Sequence, residues 1–228
     1  DHTALTNGPS RCRAYGQYLG NRYKNFPNLT WFNGNDFQTW TNAADDAVFT
    51  AVALGIKDYD TNHLQTVELE YFASSSLDDP NWAPIVGLNL AYTYYPTYAE
   101  VLHAYNQSAN LPVFMGEAYY DLEVNDAGLG EQGTPGVLRR QEYWTMLCGV
   151  TGQMYGNDYI WQFKTGWQTH LDTTGVTQLQ YMAGLFSARA WYNLVPDTNH
   201  AVVTSGYGTF ENNTGTIGAD TYLTAAST

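Results

Sequence analysis

The sequence predicts an α/β fold of parallel strands joined by helical crossovers, closed as a (β/α)8 TIM barrel, and three observations predict it. Strand-like and helix-like periodicities alternate along most of the chain, the signature of βαβ units. Two apolar runs, Asn28 to Asp36 and Leu111 to Tyr120, each end in a carboxylate, Asp36 and Glu117, where a barrel presents its ligand-binding groups. No Gly-rich phosphate turn follows the first strand, as a doubly wound nucleotide binder would require.

The elements follow in order. Tyr15, Tyr18, Leu19, Arg22 and Tyr23 repeat at three and four residues, predicting a helix over 10–25 that stops before Pro27. A strand follows at 29–33, a helix at 43–57, and a strand at 66–71 in which Val67 and Leu69 alternate with Glu68 and Glu70. Next come a buried strand at 85–90, a helix at 98–106 and a strand at 111–115 running into Gly116-Glu117. A Gly-rich loop at 126–136 precedes a helix at 137–148, a strand with its loop at 152–161, and a helix at 177–194 stopped by Pro196. Five strands fall short of a barrel's eight, and from His200 the chain turns rich in Val, Thr, Tyr, Gly and Asn. The expected organisation is a partial barrel over 1–198 and the beginning of a β domain over 199–228, with the chain a fragment.

Composition narrows the function. A formal charge of -13 with only nine Lys and Arg excludes a protein that tracks phosphates, so no nucleic-acid partner is expected. No apolar run approaches the roughly 20 residues of a membrane span. The chain starts without a basic and apolar leader, so a signal peptide is expected to be absent or already removed. Cys12 and Cys148 show no metal-ligand spacing; the expected state is a buried free thiol at Cys148, with a Cys12–Cys148 bridge as the alternative. His63, His103 and His170 are scattered, and neither a metal nor another cofactor is expected. Arg139 and Arg140 lie on a helix as surface or structural groups.

Carboxylates at strand ends suit glycosidic cleavage, which pairs a proton donor with a nucleophile or base. The plain alternative for Asn33-Gly34-Asn35-Asp36 is a surface turn, and for Glu117 a capping carboxylate. A general acid at Asp36 needs a raised pKa, which Trp31, Phe32 and Phe37 could support by apolar surroundings. An ionised Glu117 needs hydrogen-bond donors, with Tyr92, Tyr94 and Tyr119 within reach in sequence. Asn35, Glu70, Tyr92, Tyr94, Tyr119 and Trp161 are the substrate-binding candidates, the aromatics stacking on sugar faces unless they serve as packing.

The motifs Asn21 to Asn28, Trp31 to Asp36, Thr66 to Leu69, Ala91 to Tyr98, Pro112 to Tyr120, Leu138 to Leu147, Gly152 to Gly156 and Trp191 to Asp197 resemble the apiosidase-like glycoside hydrolases. That resemblance implies a barrel catalytic domain followed by a collagen-binding β-sandwich, with this chain supplying strands four to eight. It implies Asp36 as acid/base after strand four and Glu117 as nucleophile after strand seven. Asp at the first position departs from the Glu of many related barrels. Retaining cleavage of plant-type polysaccharide side chains, with a carbohydrate as the partner, and a secreted or periplasmic bacterial location are the implied function and setting. A non-catalytic carbohydrate-binding or adhesive protein is the alternative.

Overall fold

A computed structural model describes residues 2–70, 73–107, 110–124, 132–213 and 221–228, and within them helices and strands alternate as a mixed α/β fold. Helix α1 (His2–Tyr23) is broken at Gly8, where Pro9 starts its second half without needing an N–H. Strand β1 (Trp31–Asn33) leads to α2 (Ala43–Lys57). Asn42 caps α2 by accepting from Ala44 N–H at 3.0 Å, and Asp45 and Asp46 face its positive end. Strands β2 (Gln65–Val67), β3 (Ala73–Ser75) and β4 (Asn89–Thr93) follow, then α3 (Thr97–Gln107) and β5 (Val113–Glu117). The remainder is α4 (Pro135–Leu147), β6 (Val150–Gln153), α5 (Asp158–Trp161), α6 (Thr174–Ser187), and the short antiparallel pair β7 (Val195–Pro196) and β8 (Ala226–Ser227).

β1 runs parallel to β2, and β4, β5 and β6 run parallel in that order. β3 is antiparallel to β4 and was not expected, because Ala-Ser-Ser has no apolar alternation. Hydroxyls anchor it instead: Ser74 Oγ donates to Glu70 O and Ser75 Oγ to Gln107 Oε1, both at 2.7 Å. Ser76 Oγ donates to Val67 O at 2.6 Å and accepts from Leu90 N–H at 3.0 Å, so one side chain links β2 to β4 where no ladder joins them. Replacing Ser76 with Ala orphans both backbone groups at a buried position. The expected loss is about 2–4 kcal/mol, read as a lower urea midpoint; an unchanged midpoint would show that the two strands hold together without this bridge.

The strand expected at 85–90 lies at 89–93. Ile85 and Val86 instead close a turn on Trp82, their N–H groups donating to its carbonyl at 2.9 and 3.0 Å, after Pro80 and Pro84 have interrupted extension. All five β4 residues are buried, as in a parallel strand covered on both faces. The strand expected at 66–71 stops at Val67, and residue 71 lies outside the described residues, as do 126–131 of the Gly-rich loop. The strand expected at 152–161 is β6 at 150–153, and Trp161 belongs to α5. The periodicity read through 194 is α6 followed by a separate 3-10 turn, Trp191–Asn193.

The larger core lies between the parallel strands and α3, α4 and α6, with Tyr98, Trp144, Met115, Val150 and Phe186 buried. Tyr222 of the final segment joins it, 4.7 Å from the Tyr98 ring, and Trp144 Nε1 donates to Tyr222 O. Cys12 and Cys148 are both free and buried, so no bridge forms. Among the described residues, no helix is long and apolar enough to cross a membrane.

Candidate active site

Among the described residues, the turn after β1 has the most unusual backbone. Gly34, Asn35 and Asp36 have φ of 91°, 70° and 56°, three successive left-handed residues of which two are not glycine. Such conformations persist only where neighbours enforce them. Glu68 does so here. Its N–H donates to Asn33 O at 2.9 Å, its carbonyl accepts from Phe37 N–H at 3.4 Å, and its carboxylate accepts the Asp36 N–H. A Cβ on residue 34 would stand 2.1 Å from Glu68 O, so only glycine permits this approach. Asp36 is thereby held against Glu68, with its Oδ1 buried and without a hydrogen-bond partner among the described residues.

Glu117 closes β5. The β4–β5 register sets Tyr92 opposite it across an irregularity at Ala91/Tyr92, and Tyr92 and Tyr94 each donate a phenolic O–H to Glu117 Oε1 at 3.1 Å. Tyr120 supplies a third side-chain hydrogen bond. Burial raises the Glu117 pKa above the ordinary carboxylate value. The hydrogen bonds from Tyr120, Tyr94 and Tyr92 pull it back, while Asp36 adds to the rise. Burial and the adjacent Glu117 charge push all three phenols up, so they remain donors at any working pH.

Glu68 is the site residue that sequence reasoning passed over. It is 7% exposed, and burial, then the charges of Glu117 and Asp36, push it up to about 8. Strand alternation sets Glu68 and Glu70 on the same side, with Glu70 the expected substrate contact, but β2 ends before either residue, and Glu68 lines the cleft while Glu70 does not. The cleft holds about 200 Å³, with Phe32, Asn35, Glu68, Glu117, Tyr120 and Tyr155 among its walls. A larger cavity of about 650 Å³ between α1, α2 and β1 has no carboxylate in its lining.

The other expected residues divide. Asn35 is exposed at the cleft. Tyr119, expected beside Glu117, turns into a buried cluster and packs edge-on against Tyr94 at 5.3 Å; its neighbour Tyr120 makes the contact instead. Trp161 is 58% exposed and meets the Tyr120 ring edge-on at 6.3 Å, behind the cleft wall. Of the apolar setting expected around Asp36, only Phe32 lines the cleft. Phe37 enters the core against Phe49, and Trp31 donates to Asp60. Gly116 lines the cleft and makes room for Leu90, whose side chain a Cβ would meet at 2.5 Å. Arg140 stacks over Trp144 at 4.9 Å and Arg139 bonds Gln178, both structural contacts.

The fold is similar to that of a solved glycoside hydrolase, with a TM-score of 0.74, 24% identity, and coverage of 90% of this chain and 51% of that one. It is also similar to a glycoside hydrolase family 5 structure from Bacteroides vulgatus, with a TM-score of 0.73, 22% identity, and coverage of 84% and 48%. The chain spans about half the length of these structures, and likeness at such identity speaks to the fold alone. No curated protein matches the sequence. The model of the apiosidase-like catalytic domain, however, matches residues 3–193, and the chain belongs to that family.

Proposed function

We propose that this chain carries the catalytic carboxylates of an O-glycoside hydrolase that removes sugars from plant-type polysaccharide side chains, with retention at the anomeric carbon. In this reading β1, β2, β4, β5 and β6 are strands four to eight of a (β/α)8 barrel. The segment from residue 199 begins a β domain, the family's collagen-binding sandwich, in a secreted or periplasmic protein. The observation that carries the reading is the asymmetry of the carboxylates. Glu117 is held by three phenols at one strand end, while Asp36 presents an unpartnered buried oxygen at another.

Glu117 attacks the anomeric carbon as Asp36 gives its proton to the departing glycosidic oxygen, so the C–O bond breaks and a glycosyl-enzyme forms. Water then attacks the anomeric carbon, Asp36 takes the proton, and Glu117 leaves as carboxylate. The phenols hold the nucleophile ionised despite its burial.

Removing the acid should separate substrates by leaving group. Asp36→Ala is expected to lower kcat about 10²- to 10⁴-fold on glycosides with poor leaving groups. Activated aryl glycosides need little protonation and should lose far less. Equal losses on both classes, measured in steady-state kinetics of the intact protein, would remove Asp36 from the acid role. Sugar binding without release of reducing sugar would favour the non-catalytic alternative.

A further inference from the structure

Far from the cleft, α3 brings together groups that the proposed chemistry does not use. Glu100 and His103 are three residues apart and share one helix face, and Asp78 meets them from the 3-10 turn Ser76–Asp78. One ligand atom from each of the three lies within 4.8 Å of the others. α3 leaves the carboxyl end of β4, so its last turns return toward the strand's beginning, where Asn89 Nδ2 donates to Gln107 Oε1 at 2.9 Å.

Its hydrogen bonds leave one oxygen unserved. Glu100 is 1% exposed. Its Oε2 accepts from Asn213 Nδ2, while Oε1 is buried and has no hydrogen-bond partner among the described residues. His103 Nε2 lies 2.7 Å from Asp78 Oδ1. Gln107 Oε1 is occupied by Ser75 Oγ and Asn89 Nδ2, which turns its amide nitrogen toward Asp78 Oδ1 at 2.7 Å and His103 Nε2 at 3.1 Å. A neighbouring N–H suits a lone pair on Nε2, and that lone pair would then face the Asp78 carboxylate.

We propose that Asp78, Glu100 and His103 bind one divalent transition-metal cation of the zinc class. Two carboxylates and an imidazole form a mixed O/N donor set that suits zinc better than the all-oxygen set calcium prefers. A proton on Nε2 would settle only the His103–Asp78 pair and leave Glu100 Oε1 unserved; a cation serves all three. The bound ion pins α3 to the β3 turn and, through Glu100 and Asn213, to the segment after residue 210. The helical Glu-x-x-His spacing, familiar from metal sites in helix bundles, was the available sequence signal. Asp78, distant in sequence, joins that pair only through the fold.

The test is calorimetric titration of ZnCl₂ into the intact protein after dialysis against EDTA, at pH 7.5, with melting curves at each zinc concentration. The expected result is saturation at one ion per chain and a Tm that rises with zinc, as selective binding to the folded state requires. Glu100→Gln and His103→Gln, each checked for native circular dichroism, should weaken binding by about tenfold or more. The exposed His103 makes the second variant the safer of the two for folding. Absence of saturable binding, or unchanged affinity in a folded variant, would overturn the site.

Discussion

Glu117→Gln is expected to lower turnover on the order of 10⁴-fold or more, the scale seen when a covalent nucleophile is removed, while the protein folds as before. The amide keeps the size of the carboxylate, and its oxygen can still accept the Tyr92 and Tyr94 hydroxyls that Glu117 Oε1 accepts at 3.1 Å. It also removes a charge whose burial raises the pKa, so the Tm should hold or rise. Loss of activity with retained or increased stability marks a functional charge rather than a structural one. Tyr92→Phe should act more mildly, moving the acid limb of the pH–rate profile upward because the ionised nucleophile loses one donor. Kinetics on an aryl glycoside beside melting curves test both variants. Full activity in Glu117→Gln would end its assignment as nucleophile.

The two carboxylates at strand ends were legible because apolar runs show where strands finish, and parallel α/β sheets gather ligand groups there. β1 and β5 ended close to where their apolar runs predicted. What sequence could not show was the meeting of strands. β3 is held by serine hydroxyls, which leave no periodic trace, and the apolar Ile85-Val86 pair serves a turn as readily as a strand. Alternation sets Glu68 and Glu70 on one side and cannot choose between them, and β2 stops before both. The backbone there turns to meet Gly34, a contact between segments more than thirty residues apart. Tyr119 and Tyr120 are adjacent and chemically identical, so only the path of the chain after β5 decides which one reaches Glu117.

Glu68 also makes stability depend on pH in a definite direction. Burial and its acidic neighbours push it up to about 8 from an ordinary value of 4.5, so between those values the folded chain holds a proton that the unfolded chain has released. Stability is therefore full below about pH 4.5 and falls as pH rises through 8. Buried Glu142, also pushed up to about 8, acts in the same sense, as does Glu100 at about 7. The combined loss between pH 5 and 9 is expected to reach several kcal/mol, read from urea midpoints in EDTA so that no cation offsets Glu100. Glu68→Gln cannot ionise and should flatten the slope. In activity, the variant should lose the part of the alkaline limb near pH 8 that arises when Glu68 ionises beside Glu117. A slope and a limb identical to those of the unmodified protein would mean that Glu68 is already ionised at neutral pH.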